Sequence, residues 1–328
     1  MTMHNFNPKG RQFAAARRHL LVLLAGGATM VTAKAAMAQF GFNFGSSSDS
    51  GSGSSLPGIN LNNLFSGVKS LFDGLTMGEA DEIRIGETLY PRFIDRMGGA
   101  YRNRRLQTSL RNFAEGMFKT TARPQLPWEV TLLNDNTVNA WVLPGGKVAV
   151  NKGLLRYVNH EAELAAVIGH EIGHAELSHG LSQMRSESFT KGLSSLSREA
   201  LASQVGSDRL LTDQFIDLLE APLLEMVTTG YSEDREFEAD LHLLKVFEKT
   251  GHDPSQAANF FRTLLEIMPR DTEDTTSLFS THPGTQERID RIEQAAVGLD
   301  VSRRQTAGAD FEQLKRTFPT RKKFRRRG

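Results

Sequence analysis

Apolar residues recur every three or four positions over much of the chain, and this spacing predicts a mainly helical protein. The predicted helices cover 79–96, 102–119, 161–184, 194–205, 213–228, 232–250, 254–268 and 283–297. Three shorter apolar runs, at 128–133, 138–143 and 147–150, predict strands, because Asn, Asp, Pro and Gly residues supply turns between them. The pattern therefore predicts an α+β fold in which a small sheet accompanies many helices. We expect no internal membrane-spanning helix, because no later apolar run reaches 18 residues.

The first 38 residues have the pattern of a signal peptide. Four basic residues precede an apolar stretch at 20–31, namely Lys9, Arg11, Arg17 and Arg18. Ala36-Met37-Ala38 then fits a small-residue cleavage site. The Arg17-Arg18 pair leaves both Sec and twin-arginine export open, and an uncleaved membrane anchor is a third alternative. In each case we expect the protein to leave the cytoplasm.

Composition divides the rest of the chain into three parts. Residues 39–75 contain a flexible Ser/Gly linker and a short helix, 76–300 form the predicted globular domain, and 301–328 form a basic tail. Residues 39–300 carry 24 basic and 36 acidic residues, whereas the tail carries 10 basic and 2 acidic residues. We expect the basic end of this tail, 321–327, to be solvated and mobile, with peripheral contact to anionic lipid as an alternative. Nucleic acid is not an expected partner, since no recognisable binding module accompanies these charges.

The strongest chemical signal is the sequence HEIGH at 170–174, in a chain that contains no cysteine. Without cysteine, disulfides, thiolate zinc sites and cysteine nucleophiles are excluded. On a helix, His170 and His174 share one face and can bind the same metal ion, while Glu171 can act as a general base. The alternative is a chance match, because a catalytic zinc site needs a third protein ligand.

A second acidic motif supplies that ligand. Glu236 begins the sequence EFEAD, 62 residues after His174, and Asp240 lies one helical turn further on the same face. We predict that Glu236 is the third metal ligand and that Asp240 accepts a hydrogen bond from a ligand histidine, which fixes its orientation. Taken alone, these acids would indicate only an exposed helix start; HEIGH changes that interpretation.

Four blocks in order resemble the HtpX / CAAX-prenyl-endopeptidase family of zinc metallopeptidases, and most of all its soluble periplasmic branch. They are NAWVLPGGKVAVNKGLL at 139–155, ELAAVIGHEIGHAELSHG at 163–180, YSEDREFEADLHLL at 231–244 and THPGTQERIDRI at 281–292. The resemblance covers about 78–297. It implies a zincin-like fold and a gluzincin-type endopeptidase with one Zn²⁺ per chain, bound by His170, His174 and Glu236, with Glu171 as the base.

The resemblance also implies a substrate strand and a further histidine near the metal. Asn139 and Ala140 lie in the strand that matches the family's edge strand, which pairs with extended substrate backbone. His282 matches a motif near the active site. It could stabilise the oxyanion, occupy the open metal position at rest, or have only a structural role in its loop. On a continuous helix His179 would lie about 140° around the axis from His174, so we do not expect it to be a ligand. The other histidines of the predicted globular domain, at 160, 242 and 252, are given no function.

The expected function is hydrolysis of extended or misfolded envelope proteins in periplasmic quality control. Unfolded polypeptides are then the substrates, and outer-membrane assembly machinery is a candidate partner. The alternative is a nonproteolytic envelope chaperone or assembly factor that keeps a zinc site. Glu171 argues against that alternative, because a structural site has no need of a general base. The sequence leaves the oligomeric state open.

Overall fold

The computed structural model describes residues 77–184, 213–267, 278–282, 285–299 and 308–320, which all belong to one compact unit. The helices are α1 (Glu79–Arg96), α2 (Arg104–Phe118), α3 (Glu161–Glu176), α4 (His179–Met184), α5 (Asp213–Thr229), α6 (Glu233–Thr250), α7 (Asn259–Ile267), α8 (Leu278–Thr281), α9 (Thr285–Ala296) and α10 (Ala309–Thr317). The strands are β1 (Glu129–Leu133), β2 (Ala140–Leu143) and β3 (Lys147–Asn151). The mainly helical α+β prediction is confirmed. The predicted signal peptide, the linker with its short helix and the helix at 194–205 lie outside the described residues.

The sheet has the order β1-β3-β2, with β1 parallel and β2 antiparallel to the central β3. Every residue of β2 and β3 is buried. Alternate side chains enter two cores, because successive residues of a strand point to opposite faces. Val142 and Val148 join the core that contains α3, whereas Trp141 and Ala149 join the core that contains α1 and α5. Two-sided burial explains why these strands read as continuous apolar runs.

The helix that carries HEIGH packs closely against α6. A Cβ atom on Gly173 would lie 3.0 Å from both the Cα and the carbonyl oxygen of Ala239, and one on Gly169 would lie 3.2 Å from Leu243 Cβ. Glycine at these two positions therefore allows the backbones to approach. This contact brings the HEIGH motif of α3 next to the EFEAD motif of α6.

The predicted helix 161–184 is interrupted in the structure. α3 ends at Glu176 and α4 begins at His179, with Ser178 between them in the left-handed region at φ 52°. An apolar pattern that continues on both sides of a short break cannot reveal it, since the spacing of buried residues is nearly preserved.

The segment 301–328, which we predicted as a basic tail, contains a helix. Residues 309–317 form α10, and Phe311, Leu314 and Phe318 are buried in the same core as α2 and α3. The count of basic residues hid this helix, although these three apolar positions have helical spacing. The basic end 321–328 lies outside the described residues. Within the described ranges, no helix is both long and apolar enough to cross a bilayer.

Candidate metal centre

Four buried side chains converge where α3, α6 and the end of α8 meet. They are His170, His174, Glu236 and His282, and one ligand atom from each lies within 4.8 Å of the others. His170 Nε2 is 3.0 Å from His174 Nε2 and 3.3 Å from Glu236 Oε2. His174 Nε2 is 3.3 Å from Glu236 Oε1. The structure thus brings together the three side chains predicted as metal ligands, with His282 beside them.

The spacing of these atoms fits zinc. Ligands about 2.0–2.1 Å from a tetrahedral zinc ion are about 3.3 Å apart, and nitrogen and carboxylate oxygen are donors that zinc accepts. The two distances from the histidines to Glu236 match this value, and the distance between the imidazole nitrogens is slightly shorter. His170, His174 and Glu236 would therefore hold the ion. His282 completes the cluster, with its Nδ1 2.9 Å from Glu236 Oε2.

The surroundings of the predicted ligands shift their pKa values, and most of these shifts favour binding of a cation. Burial alone raises the pKa of Glu236, but its contacts with His282, His170 and His174 hold that pKa well below its usual value. Burial holds the pKa of His174 well below its usual value, which keeps the imidazole neutral and able to bind metal. Burial also opposes a charge on His170, yet its contacts with Asp240 and Glu236 raise its pKa to about 9. Metal binding would displace that proton.

Glu171 differs from the ligand residues in having an unused acceptor atom. Its Oε1 is buried with no hydrogen-bond partner among the described residues, and it lies 3.6 Å from His282 Nε2. Burial raises the pKa of this carboxyl. A buried acceptor costs free energy unless another group or a water molecule satisfies it. The position beside the metal ligands therefore suits a group that accepts a proton during a reaction.

Asp240 and Arg288 hold the predicted metal ligands in place through hydrogen bonds and ion pairs. Asp240 Oδ1 lies 2.9 Å from His170 Nδ1, the ring nitrogen turned away from the cluster. Arg288 donates two hydrogen bonds of 2.7 Å to Asp240, and its Nη1 lies 2.9 Å from Glu236 Oε2 and donates to the carbonyl oxygen of His282. Arg288 is completely buried. We did not predict a role for this residue from the sequence, although a charge next to the apolar Ile289 and one turn before Ile292 in α9 was a signal.

The predicted substrate strand lies next to the segment that carries His282. Leu278 donates a backbone hydrogen bond to the Val138 carbonyl (2.8 Å), and Thr281 Oγ1 donates to the side-chain oxygen of Asn139 (3.2 Å). That same oxygen accepts the backbone N–H of Ala140. Asn139 and Ala140 are both buried. The structure therefore joins the start of β2 to α8.

Comparison with known proteins agrees with this geometry. The profile described as peptidase family M48 matches residues 101–296, and the chain belongs to that family. This confirms the resemblance carried by the four sequence blocks. The metalloprotease YcaL of Escherichia coli is 26% identical over 236 residues, which are 72% of this chain and 87% of that protein.

Two other relatives are longer than the matching region. The mitochondrial metalloendopeptidase OMA1 of Arabidopsis thaliana is 30% identical over 194 residues, which are 58% of this chain and 36% of that protein. The beta-barrel assembly-enhancing protease of Escherichia coli is 26% identical over 168 residues, which are 50% of this chain and 33% of that protein. The chain thus matches about a third of each of these two relatives. All three relatives are named as proteases, which supports the predicted class of metallopeptidase.

Proposed function

We propose that this chain is a zinc-dependent endopeptidase. One observation carries the proposal. A buried carboxylate oxygen of Glu171, which has no hydrogen-bond partner among the described residues, lies beside two histidines and a glutamate whose spacing fits zinc. A structural zinc site needs no general base, so the position of Glu171 favours catalysis even though His282 lies where a fourth ligand could bind. Membership of a peptidase family supports the same interpretation.

The chain supplies the proton transfers of peptide hydrolysis. When bound, zinc polarises the scissile carbonyl and acidifies the attacking water. Glu171 Oε1 accepts the proton of that water, and the same carboxyl then donates it to the nitrogen of the leaving amine. Burial raises the pKa of Glu171, and a higher pKa makes this carboxylate a better proton acceptor.

His282 is proposed to occupy the substrate side of the site at rest. Its Nδ1 lies 2.9 Å from Glu236 Oε2 and 3.2 Å from His170 Nε2, which is the position of a fourth ligand. Of the three roles open from the sequence, this contact favours the resting cap. A His282→Ala variant is then expected to keep its zinc and to change its turnover of a peptide substrate. Unchanged turnover would remove His282 from the site.

The edge of β2 is proposed to bind extended substrate. Asn151 donates to the carbonyl of Asn139, so that carbonyl points toward β3. Because hydrogen-bonding direction alternates along an antiparallel strand, the carbonyl of Ala140 points toward the outer edge. A substrate strand paired there would be held by its backbone, with little sequence preference. This favours unfolded polypeptides as substrates.

The setting of this activity is proposed to be the bacterial periplasm. The basic and apolar pattern of residues 1–38 supports export. A relative that is named as a beta-barrel assembly-enhancing protease supports a role near outer-membrane assembly, in the quality control of misfolded envelope proteins. An alkaline phosphatase fusion to the full chain tests the location, since that reporter is active only outside the cytoplasm. An inactive but intact fusion would refute the periplasmic assignment.

Metal analysis tests the site. We expect one zinc per chain in the wild type, loss of cleavage on chelation, and recovery when zinc is returned. Glu236→Gln is expected to lose zinc, whereas Glu233→Gln, at an exposed position of the same helix, should keep it. A wild type without zinc would refute the proposal. The alternative, a nonproteolytic chaperone, predicts suppression of aggregation with no cleavage at all.

A further inference from the structure

We propose that His179 is a positioning residue for the metal ligand His174, through a hydrogen-bond chain that ends at Glu238. The inference rests on the proposed zinc function. It starts from one contact: His174 Nδ1 lies 2.8 Å from His179 Nδ1, on the side of the ring opposite the metal cluster. Both rings are buried.

The next contact fixes the donor and acceptor of each link in the hydrogen-bond chain. His179 Nε2 lies 3.0 Å from Glu238 Oε2. A carboxylate only accepts hydrogen bonds, so His179 Nε2 carries the proton and the Nδ1 of that neutral ring is an acceptor. His174 Nδ1 must then donate to it. His174 Nε2 is left with a lone pair, which points at the cluster where metal would bind.

The two ligand histidines are thus oriented by different groups. His170 Nδ1 contacts Asp240 directly, and this carboxylate is buried and paired with Arg288. His174 Nδ1 instead reaches a carboxylate through His179, and that carboxylate, on Glu238, is largely exposed to solvent. The ring of Tyr231 stacks on the face of the His174 ring, with 4.2 Å between the two ring centroids. The ring of His174 is therefore held by its edge and by its face.

The break between α3 and α4 makes the contact. On an uninterrupted helix, five residues correspond to about 500°, so His179 would lie about 140° around the axis from His174. The left-handed conformation of Ser178 changes the direction of the backbone, so that the His179 ring lies beside the His174 ring.

An ion pair between Arg123 and the buried Glu82 holds this break in place. Arg123 donates to Ser178 Oγ (2.7 Å) and to the carbonyl of Ala175 (3.2 Å), and it pairs with Glu82 at 2.7 Å. Ser178 Oγ also donates to Glu82. Glu82 is only 1% exposed. An unfavourable φ for serine persists only where the surrounding contacts determine it. These contacts tie the position of His179 to α1.

Substitution of His179 separates positioning from packing. His179→Phe keeps a flat ring but leaves the His174 N–H without an acceptor. His179→Asn places an amide oxygen where Nδ1 stood and restores the acceptor. Loss of such a supporting contact typically lowers metal affinity 10- to 100-fold. Competition with a zinc chelator should therefore show a loss of this size for His179→Phe, with affinity close to wild type for His179→Asn.

Nitrogen NMR of the zinc-loaded chain with ¹⁵N-labelled histidine reports the tautomer directly. We expect the proton of His174 on Nδ1 in the wild type and in His179→Asn, and a perturbed Nδ1 signal in His179→Phe. A role in packing alone would not produce this pattern. Equal zinc affinity for His179→Phe and wild type, or equal losses for the Phe and Asn variants, would overturn the proposal.

Glu238→Lys gives a test that does not depend on a core substitution. A lysine donates and cannot accept, so it opposes the proton on His179 Nε2. We expect weaker zinc binding for Glu238→Lys than for Glu248→Lys, which makes the same charge change at an exposed position of α6. Equal zinc affinities for the two variants would contradict the proposed hydrogen-bond chain from His174 to Glu238. Zinc binding without cleavage by the wild type would refute the endopeptidase function and leave the positioning role intact, whereas a wild type that binds no zinc would overturn both.

Discussion

Replacing Arg288 with methionine removes a buried guanidinium that contacts both supporting and ligating groups of the metal centre. The completely buried Arg288 makes two hydrogen bonds of 2.7 Å to Asp240 and lies 2.9 Å from Glu236. Without it, two buried carboxylates lose their guanidinium partner. Removing one partner of a buried ion pair typically costs about 3–5 kcal/mol. We expect zinc-free Arg288→Met to lose stability of that order, with a smaller loss when zinc neutralises Glu236.

The loss should depend on pH with a defined sign. Burial raises the pKa of Asp240, but Arg288 outweighs burial and holds that pKa below its usual value. In the wild type, Asp240 therefore contributes stability above its unfolded pKa, and this contribution is lost as pH falls through the lower folded pKa. In Arg288→Met, His170 alone opposes the effect of burial, so the folded pKa of Asp240 rises and its ionised form stabilises the fold less than in the wild type. The variant should be weakened more at pH 7 than at pH 4.

Urea unfolding of the zinc-free proteins measures these differences. The control is Asp240→Asn combined with Arg288→Met, which removes the charge that Arg288 neutralised. We expect the double variant to lose less than the sum of the two single losses. A loss below about 1 kcal/mol for zinc-free Arg288→Met, or additive losses in the double variant, would refute the reasoning.

Three further substitutions test other parts of the structure. Burial lowers the pKa of His252 to about 4. In the unfolded chain this imidazole takes up a proton below about pH 6.5. The free energy of unfolding should therefore fall by about 3 kcal/mol as the pH decreases from 6.5 to 4. His252→Phe should reduce this slope in urea unfolding, and an unchanged slope would contradict the assignment. Phe311→Ala should cost about 3–5 kcal/mol, because this residue of α10 is only 4% exposed within the core; a negligible change in the unfolding midpoint would place α10 outside the core. Gly173→Ala adds a Cβ 3.0 Å from the Ala239 backbone, so we expect a loss of about 1–3 kcal/mol and weaker zinc binding by chelator competition. Wild-type stability and affinity would show that α3 and α6 do not need this close approach.

The sequence predicted the parts of this protein that depend on local spacing. Apolar periodicity predicted α1 at its observed residues, and i, i+4 spacing predicted that His170 and His174 share a face. Glu236 and Asp240 followed from the same rule on a second helix. Local spacing could not pair these two helices, but the chemistry of zinc, which requires a third ligand, did so.

Contacts between distant segments could not be predicted in this way. Arg288 occurs in one of the four family blocks, but only tertiary packing shows that its side chain reaches Asp240 and Glu236. His179 was excluded from the ligand set by assuming a continuous helix, and one left-handed residue, Ser178, changes its direction. The helix α10 was assigned to a basic tail, because net charge is a property of the whole segment and burial belongs to single faces of it.

Cleavage of an unfolded polypeptide by wild type and by Glu171→Gln shows whether Glu171 is the base of a zinc peptidase, once metal analysis shows one zinc in each protein. Glutamine preserves the size of the side chain and removes its ability to accept the water proton. General-base catalysis contributes about 10²–10⁴-fold in rate. We expect the wild type to cleave the polypeptide and zinc-loaded Glu171→Gln to be at least about 100-fold slower. Equal cleavage by the two zinc-loaded proteins would contradict this expectation.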